Sequence, residues 1–321
     1  MQSGPIPTAV YLAATQLQWN AMTALQENIR PMWPKLQLKY GPNKNLVAPH
    51  ALARSAIFST QYFRSNVNRP RYFSATSLET MGAIKVYQTA GHRLDQGDAD
   101  VFYELLRRVF DAGCDANRES RVCFNRGEFL NALRRVPGGA TRKLLDASLD
   151  RLSQAEFDFR IPKLFAGKSR LILKMHRREH ESAMEYDYDV LLDVELARLF
   201  GQGQWALLRR SHRDKLKNNS LAKGLHAYYS THAIPYPVLA TTVQNLMGRE
   251  SMQWSKWLVV LAEALIILRE ATGWNRCVLG QVRDRKSCKV TVEKNEPTKA
   301  SKGKVPAPVD SAPSDDPFDD I

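Results

Sequence analysis

Acidic side chains are in short supply in this sequence. Asp and Glu number 33 against 46 Lys and Arg, which leaves a formal charge of +13. An excess of that size favours a polyanionic partner, because each cation set on a phosphate releases a condensed counterion. Nucleic acid is the first such partner and an anionic membrane surface the second. Long apolar runs are lacking too. The longest, Trp257 to Leu268, contains Glu263 and falls well short of the ~20 residues a bilayer span requires, so no membrane role is expected. The N-terminus, MQSGPIPTAVYLAATQLQW, has no basic stretch ahead of its apolar one and does not read as a secretory signal.

Cysteine is scarce. Cys114, Cys123, Cys277 and Cys288 form no C-x-x-C pair and are too sparse for a disulfide framework, so free thiols in a reducing cytoplasm are expected. Catalytic motifs are missing as well: there is no G-x-x-x-x-G-K-[ST] loop, no G-x-S-x-G, and no G-x-G-x-x-G behind a strand. One match, His176-Arg177-Arg178-Glu179-His180, has the H-x-x-E-H form of some zinc peptidases. That chemistry needs a helix to bring both imidazoles to one metal, whereas residues four apart on a strand lie about 13 Å from each other. The flanking LILKM and YDYDVLL alternate as strands do. Neither enzymatic activity, metal nor cofactor is expected.

What is present is a plan that occurs twice, between an arm (1–45) and a tail (294–321). The arm is punctuated by Pro5, Pro7, Pro31, Pro34 and Pro42 and reads as flexible, with one helix over Ala13 to Ile29. The tail is rich in Pro, Ser, Lys and Asp and reads as disordered. In the first domain (46–205), Asp98 to Asp111 sets Val101, Phe102, Leu105, Leu106, Val109 and Phe110 on one helical face. A short extended piece, Arg121 to Asn125, leads to a second helix, GEFLNALRR. After Pro137-Gly138-Gly139, Thr141 is expected to cap a third helix, TRKLLDASLDRLSQ. Three strands then follow, AEFDFRIP, SRLILKMHRREH and MEYDYDVLLD, two of them joined as a hairpin. In the second domain (206–293), Lys215 to Ser230 reads as one helix and VLATTVQNLMG as the next. Ser251 is expected to cap a long third helix that Gly273 ends, before the strands NRCVLGQV and CKVTVE. Cys277 and Cys288 bracket the turn between those strands and are expected to face each other across the hairpin as inert thiols. Helix, helix, turn, helix and hairpin is the order of a winged helix. The fold class expected is therefore α+β, with two tandem winged-helix domains.

A helix-turn-helix lays its last helix in the major groove, and N-terminal residues of that helix reach base edges. In the first domain these are Thr141, Arg142 and Lys143. Asp146 and Asp150 lie farther along and would repel phosphates, so only the first turn, with Arg151, is expected to face DNA. Arg177 and Arg178 are expected at the tip of the first wing. In the second domain the candidates are Ser251, Gln253 and Lys256, with Trp254 exposed beside them, and Arg283, Arg285 and Lys286 on the wing. Each has an ordinary alternative, a solvated helix end or turn.

Several segments resemble one family. Leu52-Ala53-Arg54-Ser55-Ala56-Ile57-Phe58 is similar to the R-S-A-L-F segment of the TrfA family of plasmid replication initiators. Ile84 to Tyr87 and Gly91-His92-Arg93-Leu94-Asp95-Gln96-Gly97-Asp98 match its strand followed by G-x-x-L-D-Q-x-D. Tyr229 to His232 and Pro235-Tyr236-Pro237 resemble its S-H-x-x-P-Y-P junction. Leu246-Met247-Gly248 and Lys256-Trp257, continued by Ala264 and Leu268, match later positions. The resemblance implies binding to direct repeats (iterons) in double-stranded origin DNA and opening of the adjoining AT-rich duplex. It also implies recruitment of host replication proteins such as helicase and its loader, and a monomer active beside a homodimer. The family's sliding-clamp pentapeptide has only degenerate counterparts here, Gln16 to Trp19 and Leu36 to Tyr40. The end, Asp315 to Ile321, resembles the acidic, aromatic tail tip of single-stranded-DNA-binding proteins, which implies docking of a host protein through its acids and Phe318. A winged-helix repressor without initiator activity is the nearest alternative. An RNA-binding role is disfavoured because Phe157, Phe159, Tyr186 and Tyr188 alternate with acids.

Overall fold

The computed structural model describes residues 33, 45–63, 65–111, 120–178, 185–281, 285 and 287–295. The helix expected in the arm, both clamp-like segments, Cys114, His180 and the tail lie outside the described residues.

The chain begins with β1 (Leu46–Pro49) and α1 (His50–Ala53), then the short strands β2 (Phe58–Ser59), β3 (Arg71–Tyr72) and β4 (Thr76–Leu78). The longer β5 (Lys85–His92) and short β6 (Leu94–Asp95) lead into α2 (Gln96–Asp111). Asp95 starts that helix by accepting from the Gly97 amide at 2.8 Å, and Asp98 accepts in turn from the Asp95 amide at 3.0 Å. This reciprocal capping satisfies amides the helix cannot. Next come β7 (Arg121–Phe124), α3 (Arg126–Ala132) and α4 (Gly139–Gln154). Four strands follow where three were expected: β8 (Glu156–Ile161), β9 (Phe165–Arg170), β10 (Ile172–Arg177) and β11 (Tyr188–Leu192). The second expected strand is interrupted at the buried Leu171, so β9 stays with β8 on β5 while β10 pairs with β11, which pairs with β7.

A 3-10 stretch, Val194–Gly203, leads to β12 (Trp205–Leu208), which pairs with β1. The helix expected over Lys215 to Ser230 is two: α5 (Arg210–Lys215) and α6 (Ser220–Ser230). Lys217, at φ +48°, ends the first, and the Asn219 side chain caps the second by accepting from the Ala222 amide at 2.8 Å. Then follow β13 (Val238–Leu239), α7 (Ala240–Leu246), α8 (Trp254–Thr272), β14 (Arg276–Leu279) and β15 (Lys289–Glu293). The first two residues expected in the α7 helix are thus strand, and β13 pairs with β15 beside β14. Gly273, left-handed at φ +68°, ends α8. Cys277 lies opposite Val292 rather than Cys288, and both thiols are buried.

Buried apolar side chains form two clusters. The first includes α2, α4 and the strands packed on them, with Trp33 from the arm set edge-on to Phe110 and Phe200. The second is built on α6, α7, α8 and the β14–β15 hairpin, with Trp257 fully buried at its centre. Each fully buried Leu or Phe contributes roughly 1.5–3 kcal/mol relative to an exposed one, so both clusters are sizeable cores.

The seam between the cores is polar. Arg54 clasps Thr231 through its hydroxyl at 2.8 Å and its carbonyl at 2.7 Å. The Thr60 hydroxyl donates to Met247 O at 2.9 Å, and Arg93 pairs with Glu250 at 2.7 Å. Gly248, at φ +64°, lies so close that a Cβ there would meet Ser59 Oγ at 2.6 Å and Arg93 Nη2 at 2.7 Å. On the other side of the seam, α5 inserts two arginines toward α2. Arg213 and Lys223 converge on Asp100, and Arg210 bonds Glu104. Burial alone would push the Asp100 carboxyl up, but Arg213, Lys223 and Arg135 together hold it well below the usual carboxylate range. The residues that carry the family resemblance are largely these seam and capping residues.

Candidate nucleic-acid interface

Two helices occupy equivalent places. Each follows a shorter helix and a turn, and a β-hairpin comes later in the chain: α4 after α3, with β10–β11, and α8 after α7, with β14–β15. Their first turns are exposed. In α4 the helix begins one residue beyond Gly138, whose backbone is extended. Thr141 is therefore not the cap but the third helical residue, and its hydroxyl accepts from the Gly138 amide at 2.9 Å. That back-bond holds the entry turn and orients the exposed Arg142 and Lys143 that follow. In α8 the cap is Gln253 rather than Ser251, and the Gln253 side chain makes no capping bond. Ser251, Gln253 and Lys256 are all exposed, while Trp254 is half-buried against the second core. A helix end with unsatisfied amides and adjoining cations favours an anionic oxygen.

The acids farther along α4 are engaged. Asp146 accepts from Arg126 at 3.0 Å and from the Tyr188 hydroxyl at 2.7 Å, and Asp150 pairs with Arg177 at 3.2 Å. These bonds tie α4 to the β10–β11 hairpin. Arg177, expected at the wing tip, also lies over the Tyr188 ring and serves as such a tie. Arg178 is exposed beyond it. Arg151 is the clear correction: it is buried, and its guanidinium holds Asp98 at 2.7 and 3.1 Å, where no duplex could reach it. On the second hairpin, Arg285 lies over Trp254 at 5.5 Å, which links the hairpin to the start of α8. Arg283 and Lys286 lie outside the described residues.

The structure also places cations that the sequence did not single out. Arg209, Lys215 and Lys217 are exposed around α5, and Arg134, left-handed at φ +56° in the turn before α4, meets Asp214 of α5 at 3.5 Å. Burial, with Arg209 and Lys215 beside it, pulls the His212 pKa down to about 4. The signal in the sequence was RRSHRDKLK, but spacing alone does not say that Arg210 and Arg213 turn inward while the others turn out. Among the described residues no cluster of His, Cys, Asp or Glu could hold a metal, and no helix is long and apolar enough to cross a membrane.

The architecture is thus mixed α+β, with two helices whose exposed first turns carry cations beside β-hairpins. The TrfA protein family model matches residues 21–282, and the chain belongs to that family of plasmid replication initiators. Among solved structures it is similar to a selenomethionine derivative of domains 2 and 3 of RctB, with 11% identity and a TM-score of 0.53 over 78% of this chain and 99% of that one. A second crystal structure of RctB domains 2-3 aligns with 11% identity and a TM-score of 0.49 over 75% of this chain and 95% of that one. At such identity the first likeness concerns the fold alone. No curated protein sequence matches.

Proposed function

We propose that the protein binds repeated sites in origin DNA through two winged helices, one on each core, with α4 and α8 entering successive major grooves. The observation that supports this reading is the likeness of α4 and α8: each carries exposed cations near its start, Arg142 and Lys143 in α4 and Lys256 in α8, and each is tied to a hairpin. The chain around each core then acts as a reading domain, the first extending through β12, which pairs with β1, both in the cytoplasm and without enzymatic chemistry. Thr141, Arg142, Lys143, Ser251, Gln253 and Lys256 face the groove, and Arg178, Arg283, Arg285 and Lys286 meet the backbone. Arg177 contributes by holding its hairpin against α4.

As an initiator, the protein opens the AT-rich duplex beside the repeats and recruits host replication proteins, with a homodimer as a second assembly. Opening distinguishes this role from that of a repressor. Permanganate probing of supercoiled origin plasmid tests it: thymines beside the repeats become reactive when the protein is added. Protected repeats without reactive thymines in the presence of host replication proteins would leave the repressor in its place.

A further inference from the structure

Two exposed aliphatic side chains occupy the same place in the two helices. Helix α4 begins at Gly139 and α8 at Trp254, so Leu144 and Val259 are each the sixth residue. Leu144 is 62% exposed and Val259 59% exposed. Single exposed aliphatics are common on protein surfaces. These two share a helical position. Leu144 stands one turn beyond the exposed Ala140 and the half-buried Thr141, with the exposed Arg142 and Lys143 between them, and Val259 stands one turn beyond the exposed Ser255 and Lys256. Residues three and four apart lie on one helix face, so in each helix the aliphatic group continues the surface that the polar first turn begins. Neither belongs to its core: Leu145 and Leu149 fill that side of α4, and Trp257 and Leu261 that of α8.

A polyanion alone gives no use for such a group, but the major groove does. There the thymine C5-methyl is the one apolar feature on the base edges, and aliphatic side chains meet it. We propose that Leu144 and Val259 are specificity-determining residues, each reading a thymine methyl in its own half of the target. This rests on the reading of α4 and α8 as the groove-entering helices. The polar side chains of the first turn enter the groove, and the sixth residue touches a neighbouring base step there. Glu263 lies one turn past Val259 and is exposed, and a carboxylate there repels phosphate, so the apolar reading is confined to the first two turns of α8.

The test removes methyl groups from the DNA and leaves every hydrogen-bonding edge intact. A tight-binding duplex is selected from random sequence with the full-length protein, and each thymine is replaced in turn by uracil. The wild type is expected to lose about fourfold in affinity at one or more thymines in each half of the site, the effect of exposing one buried carbon. Leu144→Ala should be indifferent to uracil at the thymines of one half, and Val259→Ala at those of the other. Alanine is the strongest helix former, and both sites are exposed, so both variants are expected to fold; matching circular dichroism and thermal midpoints verify this. A wild type insensitive to every replacement, or sensitivity that persists undiminished in both variants, overturns the proposal. If no duplex is enriched over random sequence, the groove-reading function itself fails, and the methyl reading falls with it.

Discussion

Arg213 of α5 donates through Nε to Asp100 of α2 at 2.6 Å, while Lys223 of α6 holds the other carboxylate oxygen at 2.7 Å. The three side chains belong to both sides of the seam and are largely withdrawn from water. Removing one member of such a cluster leaves the others charged and unpaired. Asp100→Ala is therefore expected to destabilise the protein by about 3–5 kcal/mol, read as a fall in the urea midpoint. Unfolding at the wild-type midpoint would show that the cluster does not hold the cores together.

Gly248 makes a second, independent test of the seam. Its φ is +64°, and a Cβ at this position would stand only 2.6 Å from Ser59 Oγ, which leaves no room for a side chain. Gly248→Ala should cost roughly 1–3 kcal/mol from backbone strain, with added loss from displacing Ser59. Thermal unfolding detects it, and a neutral substitution would mean the seam has slack.

On the DNA side, two classes of substitution should separate. Arg142→Ala and Gln253→Ala are expected to reduce discrimination between specific and scrambled duplex by about 1–3 kcal/mol each. Arg285→Ala should weaken all duplexes alike and lower the salt slope by about one. Gel-shift titrations on both DNAs distinguish these effects. Uniform weakening by all three would place α4 and α8 on the backbone rather than in the groove.

Acidification should destabilise the second core. Burial and neighbouring cations hold His212 and His232 down to about 4, and His226, stacked on Trp274, lower than its ordinary value. In the unfolded chain these imidazoles take up protons near pH 6.5, whereas the folded protein resists until about pH 4. The unfolded state thus binds more protons throughout that window, and stability falls as pH falls. Denaturant titrations at pH 7 and pH 5 should show the drop, and His226→Phe should reduce it. A flat profile would mean that the histidines are solvated.

The repeated plan was legible because Val101, Phe102, Leu105 and Leu106, and later Trp257, Leu261, Leu265 and Leu268, recur at helical spacing, while Gly273 and the Pro-rich turns punctuate them. The division of strands was not. From Ser169 to Arg177 the sequence runs on as one strand, and only tertiary packing of Leu171 sends its halves to different sheets. Arginine roles were the least readable. Arg151 and Arg142 look alike in sequence, yet Asp98, 53 residues away in the chain, claims the first. Which cation faces outward depends on carboxylates that only the fold brings near. The break between α5 and α6 did have a local signal, Asn218-Asn219, a pair that caps more readily than it continues a helix.

Two helices that read duplex DNA must discriminate between sequences. Titrating the full-length protein against the repeat-containing DNA beside its gene and against scrambled duplex, at about 50 and 200 mM salt, measures that discrimination. Binding at least ~10³-fold tighter to the repeats is expected, with a loss of about tenfold or more between about 50 and 200 mM salt from several phosphate contacts. Equal affinity for scrambled duplex at both salts would contradict site-specific reading.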